Sequence, residues 1–230
     1  MSLPRVLVVT GTDTEVGKTV VTAALAACLA PDRPVAVFKP AQTGVGSSDP
    51  GDVDEVRRLS GVTAVHEGVR LRHPLAPTVA ARLAGVPLPS VAEHAESVHR
   101  LAATHGTVLV EGAGGVLVGL DGAGANLADL ASRLTLPVAF VVVARAGLGT
   151  LNHTGLTVEA LRARDQTVLG VVVGAVPDRP GLAERTNLDG LAEVTGVPVL
   201  GKVPSGAGRL PPESFRSVAR TWFTPPIGDA

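Results

Sequence analysis

No tyrosine occurs among the 230 residues, and one tryptophan and four phenylalanines complete the aromatic set. Proteins that grip single-stranded nucleic acid stack bases on aromatic faces, so this chain has little to offer such a partner. Charge argues the same way. Twenty Lys and Arg against twenty-one Asp and Glu leave a net charge of −1, without the basic surplus that phosphate backbones attract. A lone cysteine, Cys28, excludes a disulfide framework within the chain, and its position in an apolar helical run reads as a buried thiol rather than a nucleophile. No stretch approaches the ~20 consecutive apolar residues of a membrane span. The run Val6–Val9 is too short for the apolar region of a secretion signal. The expectation is a cytoplasmic protein with small-molecule partners, no nucleic acid and no membrane.

What is present in quantity is apolar and glycine-rich: 45% hydrophobic residues and 27 glycines. That length and composition suit one buried core, read as a single α/β domain over 1–230. Short β-branched runs alternate with helical patterns. Strands are expected near Arg5–Thr10, Pro34–Lys39, Thr107–Glu111, Pro137–Val143, Val168–Val173 and Val197–Val203. Helices are expected over Lys18–Leu29, Asp52–Leu59, Ser90–Thr104, Thr150–Arg164 and Thr186–Thr195, with Ser90 and Glu93 spaced as a capping box. The strands are almost wholly apolar rather than alternating, as in a mostly parallel sheet covered by helices on both faces. Segments 44–51 and 204–212, rich in Pro and Gly, read as loops. Ligands of such sheets bind beyond the carboxyl ends of the strands, which would bring segments 11–19, 39–43, 111–115, 144–152 and 174–178 to one rim.

The strongest local signal is Gly11-Thr12-Asp13-Thr14-Glu15-Val16-Gly17-Lys18-Thr19, lying between the first strand and the first helix. Glycines let successive backbone N–H groups turn toward one centre, and the following helix aims its positive end at the same point. Lys18 would reach the outer phosphates of a nucleotide and Thr19 a magnesium ion. The usual pattern places the first glycine where Thr12 stands, so this loop is one residue longer than the common form. Lys39, at the end of the second strand, adds a fixed cation suited to stabilising a transferring phosphoryl group. Glu111, at the end of the third expected strand and followed by Gly112-Ala113-Gly114-Gly115, has the chemistry of a magnesium ligand. A further carboxylate could come from Asp49, Asp52 or Asp54, and spacing does not choose among them. The six histidines are scattered, which gives no zinc-site spacing.

Four segments in this order, 11–19, Phe-Lys-Pro-Ala-Gln-Thr-Gly at 38–44, Val-Glu-Gly-Ala-Gly-Gly at 110–115 and Leu-Gly-Thr-Leu-Asn-His-Thr at 148–154, resemble the dethiobiotin synthetase family. The resemblance runs to about residue 204. It implies a P-loop NTPase-like fold and an ATP-dependent carboxylation and ring closure of 7,8-diaminopelargonic acid with carbon dioxide. One amine takes up carbon dioxide as a carbamate, its oxygen attacks the γ-phosphate, and the second amine closes the cyclic urea. Carried over by position, Glu15, Val16, Gly17, Lys18 and Thr19 would cradle the phosphates, flanked by Gly11, Thr12 and Val20. Thr19, Asp52 and Glu111 would serve magnesium. Lys18 and Lys39 would be the catalytic cations. Thr14, Thr43, Pro74 and Gly114 would contact the diamine beside Lys39, with Gly112 and Ala113 on the nucleotide side. Gly149, Thr150, Leu151 and Asn152 resemble the segment that reaches across a homodimer to the substrate carboxylate.

The departure from the family pattern lies at the base. Many members carry an Asn for adenine where this chain has Gly174-Ala175-Val176-Pro177-Asp178, so nucleoside triphosphates other than ATP stand as alternatives. Val203, Pro204 and Ser205 would flank the same nucleotide. The rival reading is a partition-type regulatory ATPase, which carries a second lysine five positions before the loop lysine; that position is Asp13. A guanine-nucleotide switch lacks support because no Asn-Lys-x-Asp motif is present, and a related amidoligase would need a glutaminase region.

Overall fold

The computed structural model describes residues 3–224. Seven strands form one sheet in the order β3-β2-β4-β1-β5-β6-β7. In chain order these are β1 (Val6–Gly11), β2 (Val35–Thr43), β3 (Val65–Leu71), β4 (Thr107–Gly115), β5 (Val138–Arg145), β6 (Val168–Val176) and β7 (Val199–Pro204). Every pairing is parallel. The helices are α1 (Lys18–Leu29), α2 (Asp52–Ser60), α3 (Pro77–Ala84), α4 (Val91–Thr104), α5 (Leu127–Ser132), α6 (Thr150–Arg162), α7 (Leu182–Thr195) and α8 (Pro212–Ala219).

Alternation along each strand divides the core in two. Leu7, Val9, Val35, Val37, Leu109, Val141 and Val143 pack against α1, α2 and α8, with Cys28 buried among them. Burial pushes the Cys28 thiol up to about 11, which leaves it protonated and inert at neutral pH. Val6, Val8, Val108, Val110, Phe140 and Val142 pack against α4, α5, α6 and α7. Burial on both faces is the reason the strands read as unbroken apolar runs.

The expected strands all occur, yet those that carry the site run further than their apolar patterns. β2 continues past Lys39 to Thr43 and β4 past Glu111 to Gly115, so neither charged residue ends its strand. β3 was absent from the sequence reading. It is an edge strand, pairing with β2 alone, and His66, Glu67 and Arg70 break any apolar pattern. The helices α3, α5 and α8 have no counterpart among the expected helices. α3 and α8 open with proline at the first helical position, a start signal more often taken for a loop. α5 has a compact cap in which the Asn126 side chain accepts from the N–H groups of Ala128 and Asp129. The Ser90–Glu93 box is formed reciprocally at the head of α4.

Candidate active site

Strand alternation places Lys39 two residues beyond Val37, and Glu111 two beyond Leu109, on the sheet face that packs α1 and α2. Backbone pairing between β2 and β4 runs from Val35↔Thr107 to Phe38↔Val110 and goes no further. Where it stops, side chains bridge the two strands: Lys39 Nζ donates to Glu111 Oε1 at 2.7 Å and to the Gly112 carbonyl at 3.1 Å. Asp52, the first residue of α2, brings Oδ2 to 2.6 Å from the same ammonium. Thr19, in the first turn of α1, donates Oγ1–H to Glu111 Oε1 at 2.9 Å. Lys39 and Glu111 are buried. Burial works against the Lys39 ammonium, but Glu111 and Asp52 outweigh it and hold its pKa above the ordinary lysine value.

The phosphate loop lies next to this cluster. Gly17 has φ 94° at the head of α1, in the left-handed region open to glycine at little cost. Glu15 is also left-handed, at φ 56°. Lys18 Nζ folds back on the loop and donates to the Asp13 carbonyl at 2.9 Å. Burial first, and the neighbouring Lys39 charge second, lower the Lys18 pKa to about 8. Thr12 N–H is tied to the Val143 carbonyl at 3.0 Å, and Val16 is buried in the core beneath. Asp13 carries an external latch: its carboxylate accepts from Thr14 N–H at 2.8 Å and pairs with Arg145 at 2.6 Å.

These groups open onto a cavity of about 750 Å³. Of the residues singled out from sequence, Thr14, Glu15, Gly17, Lys18, Thr19, Val20, Lys39, Thr43, Asp52, Pro74, Glu111, Ala113 and Gly114 line it. Gln42, Leu75, Pro77 and Val118 line it too without having been singled out. The three candidate aspartates separate. Asp49 accepts from Gly46 N–H and Asp54 from Gly51 N–H, whereas Asp52 alone pairs with Lys39.

The segment Gly174–Asp178, expected at the base, sits against the phosphate loop through backbone. A Cβ added at Gly174 would collide with the Val16 carbonyl oxygen, so glycine is what allows this approach. Ala175 is held left-handed at φ 53°. Ser205 N–H donates to the Val176 carbonyl at 2.7 Å, and Val176 pairs with Pro204. Gly149, Thr150, Leu151 and Asn152 are not brought to the main cavity of their own chain. Gly149 caps α6 at φ 87°, Thr150 is buried against Thr154, and Leu151 and Asn152 line a separate groove between α6 and α7.

Sequence comparison shows which family the chain belongs to. The ATP-dependent dethiobiotin synthetase of Rhodococcus jostii (strain RHA1) is 58% identical over 219 residues, covering 95% of this chain and 94% of that protein. The chain belongs to the dethiobiotin synthetase family. The Streptomyces coelicolor member is 54% identical over 96% of this chain, and that of Saccharopolyspora erythraea 55% identical over 97% of each chain. A family model described as AAA domain matches residues 5–208. Among solved structures, a ParA family ATPase from Chlorobium tepidum TLS superposes with TM-score 0.56 at 14% identity over 94% of this chain and 92% of its own. The septum site-determining protein MinD from Pyrococcus horikoshii OT3, complexed with Mg-ADP, gives 0.55 at 14% identity over 94% and 95%. At that identity the likeness is one of fold, a P-loop NTPase sheet. Among the described residues no helix is long and apolar enough to cross a membrane.

Proposed function

We propose that this ATP-dependent synthetase carboxylates 7,8-diaminopelargonic acid and closes it to dethiobiotin, with ADP and phosphate as co-products. The observation that carries the site assignment is the cluster of Lys39, Glu111, Asp52 and Thr19, the first two buried, which lines one cavity together with Lys18. An amine of the diamine attacks carbon dioxide and loses a proton, giving a carbamate. A carbamate oxygen attacks the γ-phosphorus, and the bond to the β–γ bridging oxygen breaks. The second amine then attacks the activated carbonyl carbon, and phosphate leaves. Lys18 and Lys39 are the two cations next to the transferring group. Their contribution is preorganised charge, both ammonium groups being held on buried side chains. Thr14, Thr43, Pro74 and Gly114 define the wall against which the diamine lies.

Magnesium fits the residues present. Thr19 Oγ1, Asp52 and Glu111 are all oxygen donors gathered in one cluster, the hard ligand set that this ion prefers. When bound there it would neutralise charge on the phosphate oxygens. Phosphate release that requires diamine, bicarbonate, magnesium and ATP together tests the whole reading; release without the diamine would overturn it.

Three finer parts belong to the same proposal. The enzyme works as a homodimer in which Gly149–Asn152 of one chain complete the site of the other. This is supported by their absence from the lining of their own cavity, by the exposed apolar side chains of Leu117 and Leu156 in one groove, and by the exposed Leu148 next to Gly149 in the chain. Sedimentation at assay concentration tests it, and a fully active monomer would remove it. Residues 1–230 act as one domain in the cytoplasm, in keeping with a single buried thiol. Triphosphates other than ATP are accepted, because the base-side rim offers backbone and small side chains in place of an amide.

A further inference from the structure

Gln42 lies in the cavity wall and is buried, yet nothing above gives it a role. Its side chain makes two bonds. Nε2 donates to the Thr43 carbonyl at 3.1 Å, and Oε1 accepts from the backbone N–H of Asp52 at 2.8 Å. The second bond answers a specific need. The first N–H groups of a helix lack intrahelical partners, and Gly51, at the cap position of α2, has no side chain to offer them. Gln42 supplies from β2 the acceptor that a capping side chain would normally provide. It lies three residues beyond Lys39 on that strand, so one strand holds the Asp52 backbone through Gln42 and the Asp52 carboxylate through Lys39.

Edge strand β3 holds the approach to the same point. Arg70 donates to the carbonyls of Gly46 and Asp49 in the loop that leads into α2. Its guanidinium is fixed by both carboxylate oxygens of Glu67, at 2.7 and 2.8 Å. Two of the three polar residues that hide β3 from an apolar pattern, Glu67 and Arg70, are therefore the ones that anchor this loop.

We propose that Gln42 is a positioning residue that sets the Asp52 carboxylate in the cation site, with Arg70 and Glu67 securing the loop behind it. The inference rests on the reading of Asp52 as a magnesium-side carboxylate. Groups that orient a metal ligand change metal affinity by about 10- to 100-fold when removed.

The test is Mn²⁺ binding to the full-length protein with ADP, followed by electron paramagnetic resonance, together with the KM for the diamine and the melting temperature. Gln42→Met, which keeps length and loses both hydrogen bonds, is expected to weaken Mn²⁺ binding about tenfold while leaving the diamine KM close to wild type. Gln42→Glu keeps an acceptor for the Asp52 N–H and should recover most of that loss. Gln42→Asn shortens the reach and gives a smaller loss of the same sign, which keeps the test open if the Met variant does not fold. In an Asp52→Ala background Gln42→Met should add little, because both changes act on one interaction. A raised diamine KM with unchanged Mn²⁺ binding would make Gln42 a substrate contact and overturn the proposal. So would a fall in melting temperature alone. If Asp52→Ala weakens Mn²⁺ binding and Gln42→Met does not, only this proposal fails; if Asp52→Ala has no effect, the reading of Asp52 fails with it.

Discussion

The two ends of the rim proposed to face the nucleotide are built on opposite principles. At the transfer end, Lys39, Glu111, Asp52 and Thr19 meet through side chains, two of them buried and charged. At the base end, Gly174, Ala175, Val176, Pro204 and Ser205 meet through backbone, with one alanine held left-handed. Charge placed in a low dielectric acts strongly on a transition state but is costly to leave unpaired. Backbone contacts carry little information about which base is bound. The contrast teaches that side-chain charge is concentrated on β2, β4 and α2, where the proposed transfer takes place, while the segment proposed to face the base is held by backbone alone.

The largest effect expected is at the transfer end. Lys39→Ala should lower kcat by about 10²- to 10³-fold, the scale for one preorganised electrostatic group. Because it strands the buried Glu111 carboxylate, it should also cost about 3–5 kcal/mol of stability. Single-turnover kinetics and denaturant titration measure the two separately. An unchanged kcat with only a raised KM would break the comparison by making Lys39 a binding group.

Gly174→Val attacks the base end through its backbone. The new Cβ meets the Val16 carbonyl, so the base segment must move off the phosphate loop. Nucleotide affinity should fall at least about tenfold, with overpacking costing about 1–3 kcal/mol. Calorimetric titration with ADP is the check, and wild-type affinity would show that the two segments are not coupled.

A pH effect belongs to Lys18. Its folded pKa of about 8 lies below the ordinary 10.5. The burial penalty on its charge is therefore fully present below pH 8 and relieved as pH rises toward 10.5. Phosphates favour the ammonium, so binding should take up a proton near pH 8–9. Affinity should then decline above pH 8, by up to about tenfold per unit. Titration in buffers of different ionisation enthalpy reads this directly, and no proton uptake at pH 8.5 would contradict it.

The smallest effect sharpens the comparison from the other side. Ala175→Asn places at φ 53° a residue that tolerates the left-handed region, and it adds an amide beside the base. A small gain in stability is expected, because Asn visits this region more readily than Ala, seen as a rise of about 2 °C in Tm. The ATP-over-GTP ratio of kcat/KM should rise about tenfold, the worth of one or two hydrogen bonds. A wild-type enzyme already selecting ATP by about a thousandfold or more would mean that a side chain elsewhere reads adenine.

Much of the fold and the heart of the phosphate loop were legible in the chain itself. Strand positions follow from apolar runs long enough to bury both faces, and the loop 11–19 follows from glycine spacing, a local property of the backbone. Lys39 and Glu111 were visible as residue types at strand ends. Their strands in fact continue, because polar and glycine-rich residues extend β2 and β4 beyond the apolar pattern. The edge strand β3 was hidden by the charged residues that anchor the loop before α2.

Sequence alone, then, determined the elements whose causes are local: the apolar strands, the capped helix α4, the lengthened phosphate loop and the family these motifs resemble. Only the tertiary structure shows that Asp52, rather than Asp49 or Asp54, pairs with Lys39, since that pairing depends on where α2 begins relative to β2. It alone showed Gln42 capping a helix ten residues away, Gly174 pressed against Val16, and Gly149–Asn152 lying apart from their own cavity. Each of these is a distance between segments remote along the chain, set by how the sheet orders its strands and where backbone pairing between β2 and β4 gives way to side chains, which no local pattern encodes.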